Sequence, residues 1–186
     1  KSKGAGAKLA WEALQAANTR IIIGADEEER ALSCAESIRR AAGHLIAPHL
    51  GRGEIPITWT DERTGLLCKA RLDWVMHSGL ALDLKNCRSA ELRAFGRQAW
   101  HLGYFHQQVF YMKGLAAVTG QNMFEIPFRF VAVESDEPHD VSIFESCAET
   151  RDAAEIEVNA LLDRLAECIR NDTWRGGYEH TQEASA

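Results

Sequence analysis

The segment KARLDWVMHSGLALDLKN, residues 69–86, constrains this chain more than any other. Two apolar-rich runs flank His77-Ser78-Gly79, a turn signal, and the pattern predicts a β-hairpin with strands over Leu66 to Met76 and Leu80 to Lys85. A three-residue loop sets Met76 against Leu80, and counting back sets Asp73 directly opposite Asp83. Opposed residues share a face with Cβ atoms ~4.5–5.5 Å apart, so two like charges meet on a strand pair, where Asp is already disfavoured. Among Leu72, Trp74, Val75, Leu80, Leu82 and Leu84, such a pair makes sense with a cation between the carboxylates. Oxygen ligands select Mg²⁺ or Mn²⁺ over zinc. Lys85 follows Asp83 by two residues, so its stem lies on the same face ~7 Å along the strand. The plainer reading of Asp73, Asp83 and Lys85 is an exposed polar face with Lys85 as counter-ion. A loop one residue shorter would set Asp73 against Leu84 and dissolve the constellation.

Around this hairpin the chain reads as one α/β domain. Leu9, Ala10, Ala13, Leu14 and Ala17 stand at helical spacing, and an acidic start at Asp26 to Glu29, with Asp26 as N-cap, leads into Ala31 to Ala42. After the Gly51 to Gly53 break, Ile55, Ile57 and Trp59 alternate as a strand does, so three strands form a meander. Ser89 to Leu102 and Tyr104 to Leu115 read as helices separated at Gly103. Phe128 to Glu134 and Val141 to Glu145 alternate as a hairpin around Pro138, an amphipathic helix runs from about Ala153 to Ile169, and the tail over 175–186 is expected to fray. This order predicts a central mixed sheet with helices on both sides.

Composition excludes several classes. With 186 residues, 46% hydrophobic and 26% charged, the chain is neither low-complexity nor collagen-like and can bury a core without staples. No apolar run reaches the ~18 residues of a membrane span, and no membrane partner is expected. The sequence starts Lys-Ser-Lys-Gly without a signal-peptide core, which we read as a fragment of a longer cytoplasmic protein. Five cysteines without a C-x-x-C pair fit reduced thiols. The net charge of -6 hides an uneven distribution. From Asn86 to Lys113 there are four basic residues and one acidic (+3), whereas Glu134 to Asp172 holds twelve acidic and three basic (-9). A polyanion can approach the first stretch while the second repels it, although each could equally be a solvated helix face.

A second cluster lies in GYFHQQVFYMKG, residues 103–114. Tyr104, Gln107 (or Gln108) and Tyr111 fall at helical spacings of three or four, so rings and an amide line one face. Gln can hydrogen-bond a water or a phosphate oxygen, and Tyr can do likewise or stack on a base. Core packing of Tyr104, Phe105, Phe110 and Tyr111 accounts equally well for this stretch alone.

Taken in order, D-x9-D-x-K followed about twenty residues later by Q-x-x-x-Y resembles the PDDEXK nuclease superfamily. The run from Glu54 through Lys85, with GYFHQQVFYMKG and VAVES…PHDVSIFE, is most similar to the nuclease domain of RecE-type exonuclease VIII proteins, in the lambda-exonuclease-like branch. The resemblance covers about residues 54–146. It implies the restriction-endonuclease-like fold, with Asp73 and Asp83 as metal carboxylates, Lys85 as catalytic lysine and Glu54 as the upstream acidic ligand. The Leu84 carbonyl would add a ligand, and Gln107 and Tyr111 would support the site. It implies one or two Mg²⁺ (or Mn²⁺) and hydrolysis of linear double-stranded DNA from its ends, 5′ to 3′, in recombination. Arg88, Arg93, Arg97, Tyr104 and Gln108 would contact DNA. A ring-shaped homo-oligomer and a single-strand annealing protein as partner follow from the resemblance alone. The family's His-bearing helix motif is not visible, since neither His44 nor His49 stands in its context, and the cysteines do not frame an iron-sulfur cluster. A non-catalytic DNA-binding scaffold and a structure-specific endonuclease are the alternative readings.

Overall fold

The computed structural model describes residues 23–174. The expected helix over Leu9 to Ala17 and the tail 175–186 lie outside them. Helix α1 (Ala25–Ile46) leads into strands β1 (Gly51–Thr60), β2 (Leu67–Met76) and β3 (Ala81–Cys87). Helices α2 (Leu92–His101) and α3 (Tyr104–Thr119) follow, then a short 3₁₀ turn, β4 (Phe128–Glu134), β5 (Val141–Phe144) and α4 (Ala148–Asn171). The five strands form one sheet in sequence order. Only β3 and β4 run parallel, so the sheet is mixed, as expected, and α2 and α3 form the crossover between those two strands.

Helices cover both faces. On one, Phe95 of α2 and Met112 of α3 pack with Leu72, Phe128, Phe130 and Ala132. On the other, Leu45 of α1 packs with Leu80 and Leu82. Strand β4 therefore buries nearly every residue, the mark of a parallel strand covered on both sides. Helix α4 lays Ala154, Val158 and Leu162 against Trp59, Cys68 and Val109. Gly114 lets α3 approach β1, because a Cβ there would come within 2.7 Å of the Trp59 ring. Gly103, at φ 73°, takes the left-handed turn that separates α2 from α3.

Helix boundaries differ from expectation for local reasons. Asp26 is not the N-cap. Gly24 holds that position, and its N–H is accepted by Glu27 Oε2 at 2.8 Å, which starts the helix earlier and leaves Asp26 in the first turn. Glu91 caps α2 by accepting the N–H groups of Arg93 and Ala94, so the helix starts at Leu92 rather than Ser89. Helix α4 begins five residues before Ala153, because Cys147 already takes the extended cap conformation. All five cysteines are free thiols, and no helix among the described residues is long and apolar enough to cross a membrane.

Candidate active site

The β2–β3 hairpin has the register counted from the sequence. Val75 pairs with Ala81 and Trp74 with Leu82, while Met76 N–H donates to the Leu80 carbonyl at 2.8 Å. The ladder then stops one residue short of the Asp73–Asp83 pair. Side-chain alternation shows why. Cys68, Ala70 and Leu72 pack toward α3 and α4, and so does Val75, whereas Trp74 and Met76 pack with Leu82 near α1. Strict alternation would send Leu72 and Val75 to opposite faces, so the facing of β2 side chains reverses at Asp73, while its register with β1 is the same on both sides of that residue. Across on β1, Glu54 stands in the same row with φ 54° and drops out of pairing between Gly53↔Trp74 and Ile55↔Leu72.

Asp73 is thereby freed from regular pairing. In an unbroken ladder the Leu84 N–H would bond the Leu72 carbonyl. Instead it donates to Asp73 Oδ2 at 2.8 Å. The carboxylate thus replaces a backbone acceptor and stays tied to β3 beside Asp83.

Asp83 and Lys85 project toward α3 at the heart of the sheet. Their side chains are 2% and 12% exposed and form a close ion pair through Asp83 Oδ2 and Lys85 Nζ. Beyond that pair, neither buried Asp83 oxygen has a hydrogen-bond partner. Burial pushes the Asp83 carboxyl up from 3.8 to about 6; Lys85 pulls the other way, and the charge of Asp73 adds to the rise. Lys85 Nζ also donates to Gln107 Oε1 at 2.9 Å, and Gln107 Nε2 donates to the Tyr111 hydroxyl at 2.8 Å. Asp83, Lys85, Gln107 and Tyr111, expected from two separate motifs, therefore form one connected chain of contacts.

Other expected residues fall differently. Glu54 does not join the carboxylates, since its Oε2 pairs with Arg71 Nε at 2.8 Å on the exposed surface. Gln108, expected on DNA, faces inward. It is 1% exposed and accepts from the buried Ser146 hydroxyl at 2.9 Å, because consecutive helix residues point about 100° apart. Tyr104, expected on DNA, lays its ring against Lys85 Nζ, 4.7 Å from the centroid. Arg88, Arg93 and Arg97 are exposed, and none has an ion-pair partner among the described residues. Arg93 and Arg97, one turn apart, share a face of α2.

Two supports were not anticipated. Glu134, at the end of β4 beside Cys87, accepts the Ala90 N–H through Oε1 at 2.7 Å and so anchors the loop that carries Arg88. His106 Nε2 lies 2.7 Å from Glu157 Oε2, tying α3 to α4. Both need partners distant in sequence, so no local signal announces them.

Residues 11–183 match the family described as a PDDEXK-like domain of unknown function, DUF3799. The chain belongs to this family. No curated protein matches the chain. Among solved structures, a protein from Eubacterium rectale described provisionally as an exonuclease aligns with TM-score 0.60 and 18% identity, covering 77% of this chain and 54% of its own. The chain spans about half the length of that relative, and the likeness is one of fold. The structure of SSO0001 aligns at TM-score 0.40 and 16% identity over 76% of this chain and 56% of its own, too remote to carry an argument.

Among the described residues, no group of three or more His, Cys, Asp or Glu side chains is assembled for a divalent ion. A buried carboxylate with an unpartnered oxygen, next to a second carboxylate, nevertheless suits a hard cation that keeps most of its waters. The residues present fit Mg²⁺ or Mn²⁺ and do not fit a thiolate- or imidazole-bound metal.

Proposed function

We propose that this PDDEXK-like domain is a metal-dependent deoxyribonuclease that degrades linear double-stranded DNA from its ends. The observation that carries this reading is the Asp83–Lys85–Gln107–Tyr111 network beside Asp73, which sets an ammonium and two carboxylates at one point of the sheet. Asp73, Asp83 and the Leu84 carbonyl would hold the Mg²⁺. When bound, that ion supplies charge stabilisation to the phosphate under attack. Lys85 Nζ, with Gln107 Oε1 fixing its direction, would hold the attacking water by a hydrogen bond and steady the charge developing on the phosphate oxygens. Arg88, Arg93 and Arg97 would hold backbone phosphates, giving sequence-independent, salt-sensitive binding. The RecE-type affinity, 5′ to 3′ polarity, a role in recombination, a ring-shaped homo-oligomer and an annealing partner belong to the same proposal and rest on the resemblance.

Digestion of end-labelled linear duplex beside covalently closed circles, with and without Mg²⁺, tests it. Mg²⁺-dependent loss of the linear form with intact circles is expected, and cutting of circles would make the domain an endonuclease. One observation favours a non-catalytic DNA-binding module: the Glu54 carboxylate is engaged by Arg71, leaving two carboxylates at the centre. Calorimetry with Mn²⁺ separates the readings, because a module without turnover needs no ion between Asp73 and Asp83.

A further inference from the structure

We propose that Tyr104 is a positioning residue for Lys85, steering its ammonium onto Asp83 and Gln107, and not a DNA contact. The proposal rests on the nuclease reading for its kinetic consequence but not for its geometry. Three groups surround Nζ: the Asp83 carboxylate, Gln107 Oε1 at 2.9 Å, and the Tyr104 ring with its centroid at 4.7 Å. The first two account for only part of the solid angle around a flexible four-carbon stem. The ring closes another side, and its negative face attracts the ammonium, most strongly where water is excluded, as here at 12% exposure.

The ring is itself held from behind. Phe95, 2% exposed, lies with its centroid 6.3 Å from that of Tyr104 and stacks on Phe144 of β5 at 4.4 Å and 7°. This aromatic row reaches from the far edge strand to the lysine, so Tyr104 is set by the core and not by a substrate. Gly103 fixes where α3 begins and hence where the ring enters. The hydroxyl plays no part in this contact, so the ring alone should suffice.

Nuclear magnetic resonance of the whole chain, free of metal and DNA, reads the contact directly. The Lys85 ε-methylene protons, assigned by their loss in Lys85→Arg, should resonate upfield of those of exposed lysines. The displacement should persist in Tyr104→Phe and vanish in Tyr104→Leu. In cleavage assays Tyr104→Leu should lower kcat about tenfold with KM and DNA affinity unchanged, and Tyr104→Phe should restore kcat to within about threefold. A Lys85 signal unmoved in Tyr104→Leu would overturn the proposal. So would a raised KM with unchanged kcat, which marks a base contact. If the Leu variant does not fold, Tyr104→Phe still decides, because lost activity with a retained ring shift would show that the hydroxyl acts and not the ring. The resonance readout stands whether or not the protein cleaves DNA, so failure of the nuclease reading is distinguishable from failure of this one.

Discussion

Two ion pairs flank β2, and they are opposites. On the β3 side, Lys85 and Asp83 are almost closed to solvent, at 12% and 2% exposure. On the β1 side, Arg71 and Glu54 stand open at 72% and 66%. An exposed pair is worth ~0–1 kcal/mol and opens readily, whereas a buried pair carries a desolvation cost that its own attraction only partly offsets. A fold has little reason to keep charge in the second setting for stability alone. Burial, and not the presence of a carboxylate, thus marks the centre, and it explains why Asp83 titrates so high while Glu54 belongs to the solvated surface.

The sharpest test of this contrast is catalytic. Lys85→Ala should lower cleavage of end-labelled duplex by ~10²–10⁴-fold while metal-free DNA binding persists, as expected for losing a proton-handling group; unchanged cleavage would remove the lysine from the chemistry. The two pairs should also separate in stability. By chemical denaturation at pH 7, Lys85→Ala should cost roughly 3 kcal/mol, because the buried Asp83 carboxyl loses its partner and must stay charged without it or take up a proton, and Arg71→Ala less than about 1 kcal/mol. Equal losses would erase the distinction.

Acid titration gives a further handle. The native Asp83 carboxyl holds its proton up to about 6, and the unfolded chain releases it near 3.8. Its contribution is therefore full below pH 4, falls as pH rises from about 4 to 6, and is level above, a change of roughly 3 kcal/mol. Asp83→Asn should remove that slope from metal-free denaturation curves, and a slope that persists would assign it elsewhere. Smaller effects are expected at the surface. Arg93→Ala and Arg97→Ala should each reduce the salt dependence of DNA binding by about one unit of slope. Glu54→Gln should leave Mn²⁺ affinity nearly unchanged, and a loss of about tenfold or more would place that carboxylate among the ligands.

The neighbouring glutamines of α3 show where reading the chain by itself runs short. Spacing admits either Gln107 or Gln108 beside the tyrosines. Helix rotation in the folded protein gives Gln107 to Lys85 and closes Gln108 onto Ser146. Tyr104 is similar: periodicity puts it on the working face, but the aromatic row behind it decides that the ring meets an ammonium.

The sequence alone pointed to the hairpin register, because a three-residue turn with the two-residue period of a strand aligns Asp73 with Asp83, and the pairs Val75↔Ala81 and Trp74↔Leu82 decide for that loop length over a shorter one. It likewise determined the mixed sheet with helices on both faces, since apolar periodicity is a local property. Only the tertiary structure decided the rest: the reversal of side-chain facing at Asp73, the left-handed Glu54 and its turn to Arg71, and the closing of Lys85 by Gln107 and Tyr104. Each depends on which charged group loses its water when distant segments pack, and that is settled by the assembled core.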